Sequence, residues 1–279
     1  MMRPMRELRL ATWPMCLGCL VLLIMGCGVT RRPFLTQIEG ATVLLGTATE
    51  AGGPKTFGTG FIVEHRGNTY VVTCRHVIIE AAATSFFAIP RPQKTKSPPG
   101  GYSVLTLGPP IYHPKDGPGG TYDIAVLEIR NAARKQLRAL GIEPIKFVPS
   151  GDEQPIEGLA VVGAGYPVAY AERELGRAKL EPLRTLRVGG TVRQVPLESL
   201  TQTGFSGALR EGFFAQTIES PLGKGASGGA VYVDEGEQSA RVVGVLLGSA
   251  NVQIRKDGRT EDATGFIFAS TRRILETMP

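Results

Sequence analysis

Short runs of apolar and β-branched residues follow one another along most of the chain, and glycine, proline or polar residues separate them. Many short strands at fairly regular spacing predict an all-β sandwich or barrel that is built from antiparallel pairs. The tripeptide Arg66-Gly67-Asn68 predicts a tight hairpin turn between two of these runs. The clearest runs are ATVLLGTAT, TGFIVEH, NTYVVTC, YSVLTL, YDIAVLEI, LAVVGAGY, AVYV, ARVVGVLLG and TGFIFAS.

Only two segments have a helical pattern. One is NAARKQLRAL, Asn131 to Leu140, and the other is STRRILETM near the C-terminus, where Ser270 occupies an N-cap position. The first helix would separate two β-rich halves. We therefore expect a first barrel over residues 37–130, a second over residues 145–270, and a short C-terminal helix.

The N-terminal segment predicts export. Leu10 to Met25 is apolar and follows several arginines, which is the layout of a secretory signal peptide. Ile24-Met25-Gly26-Cys27 resembles a bacterial lipobox, although Met25 is larger than the residue usually found there. We expect a signal peptide at 1–26, a lipid on Cys27 and a tether over 27–36, which anchors the protein to a membrane of a bacterial cell envelope. An uncleaved anchor and a released soluble protein are the alternatives.

Charge and cysteine content narrow the function classes. The 279-residue chain has a formal net charge of +6, part of which belongs to the leader, and it contains no block of Lys or Arg. Nucleic-acid binding therefore has no support. Of the four cysteines, only Cys74 remains a free thiol once the leader is removed and Cys27 is lipidated. No disulfide framework is expected, and Cys74 is interpreted as a small buried apolar residue.

Ser227 is the candidate nucleophile, and it lies among glycines and alanines in the segment GKGASGGAV. Such a glycine cluster indicates an unusual backbone path or a close approach by a ligand. A serine nucleophile needs an adjacent base, usually histidine. His65 lies at a hairpin turn and His113 precedes a proline in a loop, so both suggest surface or packing roles. His76 lies where a strand of β-branched residues ends, and it is the best candidate for the base. Taken by itself, that position would suit a buried structural histidine equally well.

Asp123 is the candidate for the group that orients the base. It begins the apolar strand YDIAVLEI, and burying an unpartnered carboxylate there would be costly. A histidine N–H would satisfy the carboxylate and fix the imidazole tautomer. An aspartate that caps its own backbone at the start of a strand is the alternative.

Taken together, TCRHV, YDIAVLEI and GASGG, in the order His, Asp, Ser, resemble the trypsin-like (chymotrypsin-fold) serine proteases. The similarity is closest to the bacterial high-temperature-requirement branch, and it extends from about Leu45 to Ala269. It implies two six-stranded antiparallel β-barrels with the active site in the cleft between them. His76, Asp123 and Ser227 would hydrolyse peptide bonds through an acyl-enzyme, without a metal or other cofactor. We expect no C-terminal PDZ module of the kind that this branch usually carries.

The resemblance also assigns binding positions. The N–H groups of Gly225 and Ser227 would form the oxyanion hole. Pro221 would lie at the base of the primary specificity pocket, and Phe266, with Phe268, would narrow that pocket in favour of small or medium apolar side chains. The substrate, a peptide or unfolded protein, would add as a strand along a three-residue edge. That edge consists of Leu247, Gly248 and Ser249.

The chain departs from the family at Pro221, which stands where an aspartate would favour Arg or Lys next to the scissile bond, and at two further positions. Ala226 replaces the aspartate that digestive members carry before the serine, so zymogen activation is not expected. Leu247 stands where many relatives carry a serine that supports the catalytic aspartate. The alternative function is a catalytically silent peptide-binding protein on the same fold. A hydrolase that acts as an esterase is a third, less favoured interpretation.

Overall fold

The described part of the computed structural model consists of residues 33–48, 54–81, 85–90, 104–147, 155–167, 185–201, 208–219, 222–234, 240–256 and 259–279. The predicted signal peptide, the lipidation site Cys27 and the specificity residue Pro221 lie outside these ranges. Within them, no helix has the length and apolar character that crossing a membrane requires.

The first half of the chain forms a ring of six antiparallel strands. Their order around the ring is β1, β4, β5, β6, β3 and β2, and pairing of β1 with β2 closes it. Inward side chains such as Val43, Phe61, Val72 and Val126 are almost fully buried. The strands are β1 (Thr42–Ala48), β2 (Pro54–His65), β3 (Asn68–Cys74), β4 (Phe87–Pro90), β5 (Leu105–Tyr112) and β6 (Ile124–Ile129).

The hairpin between β2 and β3 confirms the turn that the sequence predicts. Strand β2 ends at His65 and β3 starts at Asn68, so Arg66 and Gly67 are the two turn residues. Both have positive φ, 47° and 76°. Two consecutive left-handed residues form the turn whose twist matches that of the paired strands.

A seventh short strand, β7 (Ile145–Lys146), joins the first ring and runs parallel to β2. Val63 pairs with Ile145 in this register. The sequence predicted that the second barrel begins at about residue 145, but Ile145 and Lys146 belong to the first sheet.

The second half of the chain forms a closed six-stranded antiparallel barrel, in the order β10, β13, β12, β11, β8 and β9. Its interior contains a compact cluster that includes Val188, Ala215, Phe266 and Phe268. The all-β, two-barrel prediction is confirmed. The strands are β8 (Ala160–Gly165), β9 (Leu186–Arg193), β10 (Phe213–Gln216), β11 (Ala230–Asp234), β12 (Ala240–Lys256) and β13 (Arg259–Ser270).

The described helices are α1 (Pro33–Ala41), α2 (Arg75–Glu80), α3 (Asn131–Leu140), α4 (Leu197–Thr201) and α5 (Thr271–Thr277). Helices α3 and α5 confirm the two predicted ones, and Ser270 is the N-cap residue of α5, although its hydroxyl donates to Glu211. The expectation that the chain has only two helices is wrong. The first of the additional helices begins inside the segment assigned to a tether, and it buries Ile38 and Ala41.

Candidate active site

His76 lies in the first turn of α2, directly after β3. The first N–H groups of a helix have no partner within the helix, so another group must accept them. Asp123 supplies that acceptor, because its Oδ1 receives the backbone N–H of His76 at 2.9 Å. Its carbonyl oxygen also accepts the N–H of Arg75 at 3.1 Å. The start of the helix is thus fixed to the residue that precedes β6.

The Asp123 carboxylate also holds the His76 ring. Its second oxygen, Oδ2, lies 2.6 Å from Nδ1 of His76, and only 4% of the Asp123 side chain is exposed. Asp123 has a φ of 56°, which an aspartate tolerates better than most residues. The pairing of His76 with Asp123 that the sequence suggested is therefore present.

Asp116, a loop residue that the sequence did not single out, fixes the backbone just before Asp123. Its carboxylate accepts the hydroxyl of Thr121 at 2.8 Å and the N–H of Tyr122 at 2.8 Å. The Thr121 hydroxyl oxygen in turn accepts the N–H of Asp123 at 2.7 Å. This chain of bonds supports the strained backbone at Asp123. The Asp-Gly pair in HPKDGPGG is the only local signal of such a turn.

The electrostatic surroundings of His76 favour its protonated form. Burial of the ring would lower its pKa, but the hydrogen bond and negative charge of Asp123, together with the charge of Glu80, raise the pKa above 6.5. A carboxylate beside an imidazole stabilises the imidazolium. His76 can therefore take up a proton readily.

Ser227 lies in a tight turn before β11. The backbone is left-handed at Gly225, with a φ of 96°, and at Gly228, with a φ of 91°. Ala226 donates its N–H to Gly223, and Gly229 donates to Ala226. A side chain at position 228 could not fit, since its Cβ would lie 2.0 Å from the Thr59 carbonyl oxygen. Glycine is therefore required at position 225 by the backbone conformation, and at position 228 by both the backbone conformation and the close contact.

The Ser227 turn is bound to the first ring. Thr59, on β2, donates its N–H to the Ser227 carbonyl at 3.0 Å and its hydroxyl to the Gly225 carbonyl at 2.8 Å. Gly228 donates to the Leu246 carbonyl, which also accepts the Cys74 thiol at 3.1 Å. Because Cys74 is the last residue of β3, these bonds bring the serine turn to the end of β3, directly before the helix that carries His76. The hydrogen bond between Ser227 and His76 stays a prediction.

Two amides of this turn are available to a ligand. Within the described ranges, the N–H groups of Gly225 and Ser227 donate to no protein group, whereas those of Ala226, Gly228 and Gly229 are all bonded. Unbonded N–H groups beside a candidate nucleophile are what an oxyanion hole requires.

The predicted substrate edge lies on β12. Strand β12 pairs with β11 only as far as Val245, and in the described part of the chain Leu247, Gly248 and Ser249 pair with no second strand on that side. The hydroxyl of Ser249 donates to the Leu222 carbonyl at 2.8 Å. The free edge is compatible with an added peptide strand.

The other predicted specificity residues have different environments. Leu247 is 1% exposed and packs in the core. Phe266 and Phe268 lie inside the second barrel, and a Cβ at Gly190 would be 3.1 Å from the Phe266 ring. Their role in narrowing a substrate pocket stays a prediction.

Of the surface and packing roles that the sequence suggested for His113, the structure shows the packing role. It is 3% exposed, its Nε2 lies 3.2 Å from Glu276, and its ring centroid lies 4.2 Å from that of Tyr122. Arg273 covers the same Tyr122 ring at 4.7 Å. His113 therefore has a packing role that links α5 to the residue next to Asp123. His65, the third histidine, is half-buried at the end of β2.

One group of possible metal ligands occurs among the described residues, formed by Cys74, His76 and Asp123. Burial, followed by the charge of Asp123, raises the pKa of the Cys74 thiol well above its usual value. A protonated thiol is a poor ligand, because metals bind the thiolate. The His76 Nδ1 and Asp123 Oδ2 atoms already bond each other, so the cluster is better suited to proton transfer than to metal binding.

Comparison with known proteins gives one family. A family model described as a trypsin-like peptidase domain matches residues 58–245, which is more than half of the chain. The match contains Asp123, His76 and Ser227 together with the Thr59 contacts. No curated protein matches the chain.

Proposed function

The chain belongs to the trypsin-like peptidase family, and on that premise we propose that it is a serine endopeptidase with Ser227 as nucleophile. His76 is the general base and Asp123 orients it. The observation that carries this assignment is the 2.6 Å contact between Asp123 Oδ2 and His76 Nδ1, made by a carboxylate that is almost fully buried.

The contact determines the role of each ring nitrogen. Ionised Asp123 can only accept, so Nδ1 carries a proton and Nε2 is the nitrogen with a lone pair. Nε2 then accepts the Ser227 hydroxyl proton as the oxygen attacks a peptide carbonyl. The resulting imidazolium donates that proton to the leaving amine, and water hydrolyses the acyl-enzyme on Ser227 in a second half-reaction.

The free N–H groups of Gly225 and Ser227 would stabilise the oxyanion. Two such donors suit a reaction at a peptide carbonyl, whose oxygen becomes negatively charged. Removal of one oxyanion-hole donor from a serine protease costs about 3 kcal/mol of transition-state stabilisation. The open edge of β12 would hold the peptide backbone beside them. Both features support a peptide substrate, since an added strand offers its main-chain groups in register.

The proposed location follows from the N-terminal sequence. We assign Cys27 as a lipidated residue that anchors the protein to a membrane of a bacterial cell envelope, with the peptidase domain facing the periplasm or the exterior and with peptides or unfolded proteins as substrates. On the sequence resemblance alone, we propose that the chain belongs to the bacterial high-temperature-requirement branch of these enzymes. Growing cells with labelled palmitate tests the anchor: label on wild-type protein and none on Cys27→Ser supports it, and equal label contradicts it.

A fluorophosphonate probe tests the catalytic assignment. Wild-type protein should be labelled, Ser227→Ala should not, and Ser199→Ala should match wild type because Ser199 lies on α4, outside the candidate site. Circular dichroism shows whether each variant is folded. Equal labelling of Ser227→Ala would contradict Ser227 as nucleophile. A folded wild-type protein that binds peptides without labelling or hydrolysis would favour the catalytically silent alternative.

A further inference from the structure

Thr59 is a fully buried threonine on β2, and both its backbone N–H and its hydroxyl bond residues of the second half of the chain. Its backbone N–H donates to Ser227 at 3.0 Å, and its hydroxyl donates to Gly225 at 2.8 Å. The hydroxyl oxygen accepts the N–H of Tyr166 at 2.8 Å, and its carbonyl accepts the hydroxyl of Thr73 at 2.7 Å. One residue of the first ring thus contacts two segments of the second half.

The direction of the hydroxyl proton follows from these partners. An amide N–H can only donate, so the Thr59 oxygen must be the acceptor toward Tyr166. Its own proton is then directed to the Gly225 carbonyl. No alternative orientation satisfies both neighbours, and the hydroxyl is therefore locked.

The two carbonyls that Thr59 holds belong to the same two residues whose N–H groups are free. Thr59 bonds the carbonyl of Gly225 and the carbonyl of Ser227. Between them lies the peptide group that carries the Ser227 N–H. Fixing a carbonyl on each side of this group limits its rotation.

We propose that Thr59 is a positioning residue that sets the orientation of the Ser227 amide in the oxyanion hole, an inference that rests on the proposed peptidase function. The first ring thereby contributes to the hole without touching the substrate. Donors that are already oriented cost no reorganisation when charge develops on the substrate oxygen. The side-chain hydroxyl is the essential part, because any residue at position 59 offers the same backbone N–H.

Three variants test this role. Thr59→Val keeps the shape and removes the hydroxyl, Thr59→Ser keeps the hydroxyl, and Thr42→Val is the matched control. Thr42 is equally buried on β1, and its hydroxyl donates to the Ile38 carbonyl at 2.7 Å, away from the site. We measure kcat and KM on a peptide substrate, the pH profile, and the affinity for a peptide boronic acid that forms a tetrahedral adduct with Ser227.

For Thr59→Val we expect kcat to fall about tenfold or more, which is part of the loss that follows removal of a whole donor. The boronic acid should lose affinity in parallel, while KM and the acid limb of the pH profile stay unchanged. Thr59→Ser should restore kcat, and Thr42→Val should keep it.

Four results would overturn the inference while leaving the peptidase assignment intact: a folded Thr59→Val with the kcat of Thr42→Val, an unchanged boronic-acid affinity, a shifted acid limb, or a Thr59→Ser as impaired as Thr59→Val. If Thr59→Val does not fold, Thr59→Cys replaces it, because a thiol is a weaker donor at longer distance. Wild-type kcat in folded Thr59→Cys would then overturn the inference. A wild-type enzyme that a fluorophosphonate does not label overturns the proposed function itself.

Discussion

Asp123 holds His76 at two points, with Oδ1 on the backbone N–H at 2.9 Å and Oδ2 on the ring Nδ1 at 2.6 Å. The two bonds fix both the start of helix α2 and the direction of the imidazole. A single carboxylate therefore controls where the His76 ring lies and which of its nitrogens carries the proton.

Replacing this carboxylate should abolish most activity. In Asp123→Asn, the side-chain oxygen can still accept the backbone N–H of His76. Its NH₂ group, however, would donate to the ring Nδ1 and so favour the wrong tautomer of the imidazole. We expect kcat at neutral pH to fall by about 10³–10⁴-fold. Steady-state hydrolysis of a peptide substrate measures the loss, and Asp262→Asn, at an exposed position on β13, is the control. A folded Asp123→Asn with near wild-type kcat would contradict the assigned role.

The pH profile should reflect the raised pKa of His76. Catalysis needs the neutral ring, so kcat/KM should fall as pH decreases through a midpoint above 6.5. The protonated ring also stabilises the fold below pH 6.5, and this contribution is lost as pH rises through the raised pKa.

Glu80 offers a direct check of that cause. Its charge contributes to the raised pKa, so Glu80→Gln should move the acid limb to lower pH and leave the alkaline plateau unchanged. The shift should be small because Glu80 is exposed and salt screens its charge. Glu261→Gln on the β12–β13 hairpin is the control, and an equal shift in that variant would disprove a specific effect.

The serine turn should not tolerate a side chain at Gly228. An added Cβ would lie 2.0 Å from the Thr59 oxygen and 2.3 Å from the Thr73 hydroxyl, in a backbone region with a φ of 91°. We expect Gly228→Ala to lose about 3 kcal/mol or more of unfolding free energy. Gly67→Ala has a similar φ with open space around it and should lose only about 1–2 kcal/mol. Urea unfolding compares the two, and equal losses would mean that backbone strain alone sets the cost.

The C-terminal helix should become less firmly attached in acid. Partial burial would raise the pKa of Glu276, but hydrogen bonds from Arg273, His113 and Arg272 lower it to about 2. Its stabilisation is present above the unfolded value near 4.5 and disappears as pH falls toward 2. Glu276→Gln should therefore lower the melting temperature at pH 7, and the difference from wild type should vanish near pH 2. A difference that persists there, or one that Glu261→Gln shares, would contradict this account.

The sequence predicted what local pattern and burial cost can reveal. Alternating apolar runs indicated both rings, and the cost of burying Asp123 pointed to a histidine partner. The short helices were missed because α2 and α4 contain too few residues to develop a helical period. Strand β7, with two residues, has no pattern at all.

Contacts between distant segments had no local signal. Thr59 and Gly225 are 166 positions apart, and His113 and Glu276 are 163 apart. The same threonine would be unremarkable in any β-strand, and a histidine before a proline suggests a loop. Only the folded chain shows that the first holds the serine turn and that the second is enclosed by α5.

Among the described residues, the hydrogen bonds that join the two halves of the fold mostly end on a main-chain atom. Thr121 exchanges backbone bonds with Ala208 and Arg210, and the Cys74 thiol contacts a carbonyl, as does the hydroxyl of Thr59. A hydrogen bond to a main-chain atom does not depend on the side chain of the residue that supplies the atom. These bonds therefore persist when neighbouring side chains are substituted, provided that the few small residues in the contact are kept. Substitution of many surrounding side chains should therefore leave the Ser227 turn in place beside the end of β3.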